Sequence, residues 1–407
     1  MKKLAKLHFL QSYSTPPVRL RLARNLTRAV KQGHPWVFAE ALRELPAAPS
    51  GAPAVLLDNK KGRAIGRGFY DPHSALALRV CTAEPDQPLD DRWAQTRFER
   101  AWALRRALFD DRTTGFRLFN GEGDGLPGLI CDLYGEVAVI QLDGAGPGGF
   151  WNPAGIAEWL VQTLSLRWVY RRSQGRGAAG AELLRGDPPL PQPAPFLENG
   201  VRFTADVGRG QKTGFFLDQR DNRQRIKALA AGRRVLNLFG YTGGFSVYAG
   251  LGGARQVTTV DLAEAALAAA HSHWQLNGLE PGNHTVVKAD AFDFLQKAGQ
   301  AHQLWELVVL DPPSFAASKE AVPQAVAAYQ RLITGAAAVV ASDGLLAAAS
   351  CSSHVAPESF LQVCAEGVAQ ARRRATVLGI YGQPADHPWP LACPELRYLK
   401  FALLRID

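Results

Sequence analysis

The chain has 407 residues, of which 47% are hydrophobic and 20% are charged, and this composition predicts a folded protein of two or three domains. No apolar stretch reaches the roughly 18 residues of a membrane span, and the basic start lacks the apolar core of a secretion signal. The five cysteines are scattered and form no Cys-x-x-Cys pair, which argues against a disulfide framework or a zinc site and favours a reducing cytoplasm.

The positive charge is concentrated near the amino terminus. Residues 1–80 contain 14 Lys and Arg against 4 Asp and Glu, a net charge of +10, whereas the whole chain carries +9. The rest of the chain therefore sums to −1. Because a clustered basic surface attracts polyanions, we expect residues 1–80 to contact nucleic acid. The alternative is a solvated surface that serves only solubility.

Residues 1–80 are predicted to form a small β-barrel. Short apolar runs separated by turn residues predict strands over residues 55–57 and 64–70, joined by a turn at 58–62. A helical segment over residues 25–31 ends before Gly33-His34-Pro35.

Residues 81–195 are predicted to form a small second domain. Apolar residues at helical spacing, among them Trp93, Phe98 and Trp102, predict a helix over residues 90–110. Further predicted elements are strands at 129–133 and 137–142, a helix at 154–166 and a strand at 167–170.

Two segments of this region punctuate the chain. The polar turn at residues 120–124 is either ordinary turn chemistry or a substrate contact. The proline cluster at residues 188–195 forbids a regular helix and predicts an extended linker. A catalytic domain is then expected at residues 196–407.

In residues 196–407, predicted strands repeatedly end in polar or glycine-rich segments. The strand at 235–238 breaks into the turn 239–244, where a glycine-rich turn before a helix leaves backbone N–H groups to face a ligand. The next three predicted strands, at residues 256–261, 285–290 and 307–311, end in Asp261, Asp290 and Asp311. This pattern predicts a doubly wound α/β sheet with ligands along one edge. Each of these acids, taken alone, has a simpler interpretation, in which it only caps the helix that follows.

The glycine spacing departs from the dinucleotide-binding pattern, because the bulky Phe245 follows Gly243-Gly244. Residues 237–245, together with Asp261, Asp290 and Asp311-Pro312-Pro313, resemble instead the S-adenosylmethionine pocket of class I methyltransferases. The run 206–220 and Ser350-Cys351-Ser352 narrow the resemblance to the RlmI-type large-subunit ribosomal RNA cytosine-C5 methyltransferases. The resemblance extends over nearly the whole chain.

This resemblance implies a Rossmann-like methyltransferase domain preceded by a PUA-like RNA-binding domain and a small α/β middle domain. It implies S-adenosylmethionine as cofactor and large-subunit (23S) ribosomal RNA, naked or partly assembled, as partner; a homodimer is left open. In the resemblance Asp261 binds the ribose and Asp290 lies at the adenine. The implied cofactor-binding residues are Phe216, Asp218, Arg220, Phe239, Tyr241, Thr242, Gly243, Gly244, Asp261, Asp290, Ala291 and Phe292. For Phe216, Asp218 and Arg220, the alternative to cofactor contact is an ordinary strand end and helix start.

Cys351 follows a predicted buried strand at residues 344–349. Cytosine C5 is not nucleophilic by itself, but a thiolate that adds at C6 makes it so. The resemblance implies that Cys351 is this nucleophile and that the rigid Asp311-Pro312-Pro313 turn presents Asp311 to a flipped base. The alternative is that Cys351 is a small buried hydrophobic residue.

One departure from the family pattern leaves the chemistry open. Many RNA cytosine-C5 enzymes carry a second cysteine near the Asp-Pro-Pro turn, where this chain has Ser314. The base that removes the C5 proton is therefore unassigned, and His354 is a candidate only by its proximity in sequence. Two rival functions also stay open: an RNA purine N-methyltransferase that uses the same pocket, and a noncatalytic RNA-binding ribosome assembly factor.

Overall fold

The computed structural model describes residues 7–172, 180–188, 193–316, 318 and 320–407. Residues 189–192 of the predicted proline linker lie outside the described residues. The chain divides into two compact units. The amino-terminal unit runs to Gly200 and includes Thr204–Leu217 and Ala385–Leu396, and the carboxy-terminal unit comprises Val201–Phe203, Asp218–Pro384 and Arg397–Asp407. Within the described parts of the chain, no helix is both long and apolar enough to cross a membrane.

The amino-terminal unit begins with a five-stranded sheet in the order β1-β3-β4-β5-β2. Its elements are β1 Val18–Arg21, α1 Thr27–Lys31, β2 Trp36–Val37, β3 Ala52–Leu57, β4 Ala64–Tyr70 and β5 Leu78–Thr82. The strands predicted at residues 55–57 and 64–70 are parts of β3 and β4, which pair antiparallel across the predicted turn. Asp58 holds that turn, because its carboxylate accepts hydrogen bonds from four consecutive backbone N–H groups, those of residues 60–63.

A second five-stranded sheet, in the order β10-β9-β8-β7-β6, follows in the same unit. Its elements are α2 Asp91–Leu108, β6 Gly115–Asn120, β7 Leu129–Tyr134, β8 Val137–Leu142, α3 Ala145–Phe150, α4 Pro153–Leu164, β9 Trp168–Arg172 and β10 Ala181–Arg185. Within the polar turn at 120–124, Asp124 accepts two hydrogen bonds from the fully buried Arg105, at 2.6 and 2.8 Å. This ion pair gives Asp124 a structural role in the turn.

Three elements of this sheet region were not predicted from the sequence, namely β6, α3 and β10. The helix α3 has the sequence Ala-Gly-Pro-Gly-Gly-Phe, which is poor in helix-forming residues. Its last glycine serves packing, because a Cβ atom at Gly149 would lie 1.8 Å from the carbonyl oxygen of Ser50. The close approach of α3 to a distant part of the backbone thus requires a glycine that helix propensity alone would not predict.

The chain then forms β11 and β12 before it enters a seven-stranded sheet in the order β15-β14-β13-β16-β17-β19-β18. The elements are β11 Ala194–Glu198, β12 Val201–Ala205, α5 Arg220–Leu229, β13 Arg234–Leu238, α6 Gly244–Leu251, β14 Gln256–Asp261, α7 Glu264–Leu276, β15 His284–Lys288, α8 Ala291–Gln300, β16 Trp305–Leu310, α9 Val322–Ala338, β17 Val340–Ser350, α10 Pro357–Gln370, β18 Ala375–Tyr381 and β19 Lys400–Ile406. The first five strands in this order are parallel, and β19 runs antiparallel to both of its neighbours.

Helices cover both faces of this sheet. Leu236 and Leu238 of β13 belong to a core that includes α8, α9 and α10, whereas Val235 belongs to a core that includes α5, α6 and α7. Since successive side chains of a strand point to opposite faces, a strand covered on both sides must be apolar throughout. This explains the continuous apolar runs of the sequence and confirms the predicted doubly wound, Rossmann-like α/β fold.

Candidate active site

Four neighbouring strands bring their carboxyl ends to one edge of the large sheet. The registers align Val260 of β14, Leu238 of β13, Leu310 of β16 and Ala348 of β17. The chain passes from β13 to β14 on one side and later to β16 on the other, and doubly wound sheets bind ligands at such a switch point. With strands about 4.8 Å apart, the ends of β14 and β17 are separated by about 14 Å. This edge has room for a nucleoside ligand and a second substrate.

The loop after β13 has an unusual backbone. Phe239 and Tyr241 adopt positive φ angles of 56° and 45°, a conformation that costs free energy for bulky residues and that recurs at ligand sites. Gly243 also has a positive φ, 77°, and a Cβ atom there would lie 2.7 Å from the Cβ of Ala270 in α7. The close approach of α7 therefore accounts for the glycine at this position.

Asp261, at the end of β14, holds this loop. Its Oδ2 accepts a hydrogen bond from the backbone N–H of Tyr241 and its Oδ1 accepts one from Ala263, both at 2.9 Å. An ionised carboxylate offers about four acceptor positions, so Asp261 has the capacity for further hydrogen bonds. The half-buried carboxylate thus suits a pair of ribose hydroxyl groups.

The start of α6 suits the amino-acid end of S-adenosylmethionine. The cap residue Gly243 has no side chain that could accept from the first turn, and the helix has no side-chain cap hydrogen bond. The amino-terminal N–H groups of a helix attract carboxylates. Together with the acceptor at Asp261, this donor set fits an adenosyl ligand that ends in an amino acid.

Asp290 caps α8. Its Oδ1 accepts hydrogen bonds from the backbone N–H groups of Phe292 and Asp293, at 2.8 and 3.2 Å, which is the helix-capping role that the sequence left as the simpler reading. Ala291 is buried, and the Arg331 guanidinium lies 4.8 Å from the Phe292 ring centroid. Both capping bonds use the same oxygen of Asp290, and contact of these residues with adenine stays a prediction.

The residues predicted before β13 have different surroundings. Phe216 belongs to the amino-terminal unit, where Lys212 Nζ lies 4.5 Å from its ring centroid. Asp218 belongs to the carboxy-terminal unit, is buried, and accepts a hydrogen bond of 2.7 Å from the Tyr398 hydroxyl. Arg220 is buried at the start of α5. Contact of these three residues with the cofactor stays a prediction.

The remaining predicted positions belong to the loop after β13. Phe239, Tyr241 and Thr242 are half-buried, and so is Gly244 at the start of α6. The carbonyl oxygen of Thr242 lies 2.8 Å from His273 Nδ1, which fixes the loop to α7. These residues therefore lie on the same edge as Asp261.

A network of hydroxyl groups joins the turns that carry Asp311 and Cys351. Ser352 Oγ lies 3.0 Å from Ser314 Oγ, in the turn after β16, and 2.9 Å from the Tyr329 hydroxyl of α9. Ser350 Oγ donates to the same tyrosine at 3.1 Å. The network anchors the turn after β17 to the turn after β16.

Asp311 and Cys351 both act electrostatically on Tyr329. Burial raises the pKa of Tyr329, the hydrogen bonds from Ser350 and Ser352 lower it, and the charges of Cys351 and Asp311 raise it further. Cys351 is half-buried, whereas the other four cysteines are buried. The two predicted catalytic residues therefore follow neighbouring strands at the same edge of the sheet, and Cys351 is not fully buried.

Two residues of this site, Tyr329 and Lys400, were not predicted from the sequence, and a third, Ser352, was named only as part of the motif at residues 350–352. Tyr329 and Ser352 form the network, and Lys400, only 3% exposed, donates from Nζ to the carbonyl oxygen of Ser352 at 2.6 Å. A visible signal for Lys400 was a charged residue at the start of an apolar strand. His354, proposed from its sequence position, is exposed in the turn after Cys351.

The amino-terminal unit has a separate basic turn between β3 and β4. Arg21 Nη2 donates to the carbonyl oxygen of Lys60, and Arg43 Nη2 donates to that of Asn59, each at 2.8 Å. Lys60 and Lys61 are exposed beside them. Three basic residues of this region, Lys60, Lys61 and Arg63, thus lie in one turn, here called the basic turn (residues 58–63).

Comparisons with known proteins agree with this architecture. A family profile described as S-adenosylmethionine-dependent methyltransferase matches residues 158–375, and one described as PUA-like domain matches residues 20–83. A "Ribosomal RNA large subunit methyltransferase" of Deinococcus radiodurans is 36% identical over 97% of this chain and 98% of its own length. A "Ribosomal RNA large subunit methyltransferase I" of Alteromonas mediterranea is 36% identical over 92% of this chain and 95% of its own.

A solved structure gives the same result. A putative methyltransferase complexed with SAH superimposes with a TM-score of 0.85 at 25% identity, over 95% of this chain and 100% of that one. The predicted family, the PUA-like and Rossmann-like folds and the cofactor S-adenosylmethionine are confirmed. The chain belongs to the S-adenosylmethionine-dependent methyltransferase family, in which its relatives include the ribosomal RNA large subunit methyltransferases I.

Proposed function

We propose that the protein methylates carbon 5 of a cytosine in large-subunit ribosomal RNA, through a covalent adduct with Cys351. The observation that carries the proposal is the position of Cys351. It is the one cysteine of the five that is not buried, and it lies with Asp311 at the sheet edge that also holds Asp261. The printed names of the relatives support ribosomal RNA as the substrate, and such a substrate is consistent with a cytoplasmic enzyme.

In the proposed mechanism the thiolate of Cys351 adds to C6 of the cytosine, and the electron pair of the C5–C6 double bond becomes available at C5. S-adenosylmethionine, when bound, supplies an electrophilic methyl group for the C5 that this addition makes nucleophilic. A base then takes the C5 proton, the C5–C6 double bond re-forms and the sulfur–C6 bond breaks. The thiolate is thereby regenerated, as covalent catalysis requires.

Asp311 would hold the target base. Its carboxylate accepts hydrogen bonds from the exocyclic amine of cytosine, while Pro312 and Pro313 keep the turn rigid. Since C5 is hidden when a base is stacked in a helix, the enzyme would take an unpaired or flipped nucleotide. The basic turn of the amino-terminal unit would bind RNA phosphates.

A second candidate function rests on the turn after β16. Asp311-Pro312-Pro313 followed by Phe315 is also suited to gripping an exocyclic amine, as an RNA purine N-methyltransferase would, with Cys351 structural. A noncatalytic assembly factor is the third reading. The three readings differ in the product, because only the first yields 5-methylcytidine.

Nucleoside mass spectrometry of large-subunit RNA incubated with the protein and S-adenosylmethionine tests the proposal. We expect 5-methylcytidine from the wild type and from Ser353→Ala, an exposed neighbour that serves as the control. Cys351→Ala should form none while it still binds S-adenosylmethionine. RNA that contains 5-fluorocytidine should trap the wild type covalently, because C5 then has no proton to lose. Full turnover by Cys351→Ala, or methylated purines as the product, would refute the thiol mechanism.

A further inference from the structure

The ammonium group of Lys400 is buried beside the turn that carries Cys351, and the proposed mechanism gives it no role. Lys400 is the first residue of β19 and pairs in register with Ser350 of β17. Its Nζ donates to the carbonyl oxygen of Ser352 at 2.6 Å and to that of Tyr398 at 2.9 Å. The side chain thus extends beyond its cross-strand partner Ser350 and binds the backbone of Ser352, the residue after Cys351.

A buried lysine is costly, so its position calls for a physical reason. Transfer of an ammonium group from water into a protein interior is unfavourable unless acceptors or a negative charge compensate. The two carbonyl oxygens satisfy two of its three N–H groups but supply only partial charges. A full negative charge nearby would compensate the ammonium much better.

The titratable groups around Cys351 come from three elements. Asp311 follows β16, Tyr329 belongs to α9 and Lys400 belongs to β19, while His354 on the segment of Cys351 itself is exposed. Asp311 and an ionised Tyr329 both oppose a negative charge on the sulfur. Of this set, Lys400 is the group that is positively charged when protonated near neutral pH, and it favours the thiolate.

We propose that Lys400 is a positioning residue, which holds the backbone that carries Cys351 and stabilises the thiolate of that side chain. This inference rests on the proposed role of Cys351 as nucleophile. A thiolate needs an electropositive environment, and the described site supplies it through β19. In support, burial lowers the pKa of Lys400 to about 8, and Cys351 acts in the opposite direction, as expected for an interacting thiolate and ammonium.

The pH dependence of alkylation tests this proposal. Iodoacetamide reacts with the thiolate, and peptide mass spectrometry reports the modified fraction of Cys351 itself, apart from the four buried cysteines. We expect a midpoint for wild-type Cys351 below the ordinary cysteine value of about 8.5. Lys400→Met, which removes the charge and the N–H donors, should raise the midpoint by about one unit or more.

Two further variants separate charge from geometry. Lys400→Gln keeps an NH2 group for the two carbonyl oxygens but lacks the charge, and we expect its midpoint to rise as in Lys400→Met. Lys400→Arg keeps a positive charge, and its midpoint should stay nearer that of the wild type. Binding of S-adenosylmethionine and the thermal unfolding midpoint report whether each variant is folded.

Several outcomes would overturn the proposal. A wild-type midpoint at or above about 8.5 would do so without any variant. Folded Lys400→Met and Lys400→Gln whose midpoints both equal that of the wild type would also do so. A midpoint equal to that of the wild type in folded Lys400→Gln alone would reject the electrostatic role. Because the titration needs neither RNA nor methyl transfer, its failure is distinct from failure of the cytosine-C5 function, which the nucleoside product tests.

Discussion

Replacement of Asp261 should weaken binding of S-adenosylmethionine strongly. The carboxylate accepts the backbone N–H groups of Tyr241 and Ala263, both at 2.9 Å, and by our reading also two ribose hydroxyl groups. A hydrogen bond to a charged acceptor contributes about 1.5–3 kcal/mol. Loss of the two ribose bonds in Asp261→Ala therefore costs at least about 3 kcal/mol, which corresponds to roughly 150-fold weaker binding.

Asp261→Asn should have a smaller effect. The amide keeps one acceptor oxygen, so it can accept the hydrogen bonds of only one of the two carboxylate oxygens. In place of the other oxygen, its NH2 group faces a backbone N–H or a ribose hydroxyl group. We expect a loss of about 1.5–3 kcal/mol, or roughly 10- to 150-fold. The order wild type, Asn, Ala then follows the number of remaining acceptors.

Isothermal titration calorimetry with S-adenosylmethionine measures these affinities. Asp293→Asn, which removes an exposed carboxylate in the first turn of α8, is the control for a change in net charge. Thermal unfolding without ligand detects any general loosening of the loop after β13. An affinity of Asp261→Ala within about threefold of the wild type would remove Asp261 from the cofactor site.

Two further predictions concern other parts of the chain. Burial, with a smaller contribution from His271, lowers the pKa of His284 to about 4, below the unfolded value near 6.5, so the unfolded state binds the extra proton first. The contribution of His284 to the free energy of unfolding should be fully present above about pH 6.5 and fall by about 2 kcal/mol at pH 5. Urea unfolding at both pH values should show that His284→Gln lacks this loss. An equally steep fall in the variant would contradict the assignment to His284. In the basic turn, Lys60→Ala with Lys61→Ala should lower the slope of log affinity for RNA against log salt by about 1.4–1.8, while the exposed control Lys297→Ala leaves it unchanged. Filter binding over a salt series measures this slope, and equal slopes would mean that the basic turn does not touch phosphates.

The sequence predicted best the elements whose cause is local. The strands expected at residues 64–70 and 256–261 are found as Ala64–Tyr70 and Gln256–Asp261. Glycine or charged residues lie at or next to the ends of both strands, so these ends are visible in the sequence. The strand expected at 285–290 is His284–Lys288, because Asp290 caps the next helix. A terminal acid alone does not separate a strand end from a helix cap.

Elements that depend on distant parts of the chain were not predicted. The helix α3 contains three glycines and a proline, and the contact with the backbone of Ser50 explains one of them, Gly149. Within the candidate site, the grouping of Asp311 with Cys351 was predictable, because both follow parallel strands. The hydroxyl network through Tyr329 was not, since Tyr329 lies inside α9 with an ordinary apolar pattern.

Lys400 shows why a search along strand ends is incomplete. In a parallel sheet the residues after each strand share one edge, so a search for polar residues after strands finds Asp261, Asp311 and Cys351. An antiparallel strand runs the other way and reaches that edge with its first residue. Because β19 is antiparallel to β17, Lys400 at its start lies opposite Ser350 at the end of β17. A mixed sheet can therefore supply a cation to its ligand-binding edge from the front of a strand, where the parallel pattern gives no reason to look.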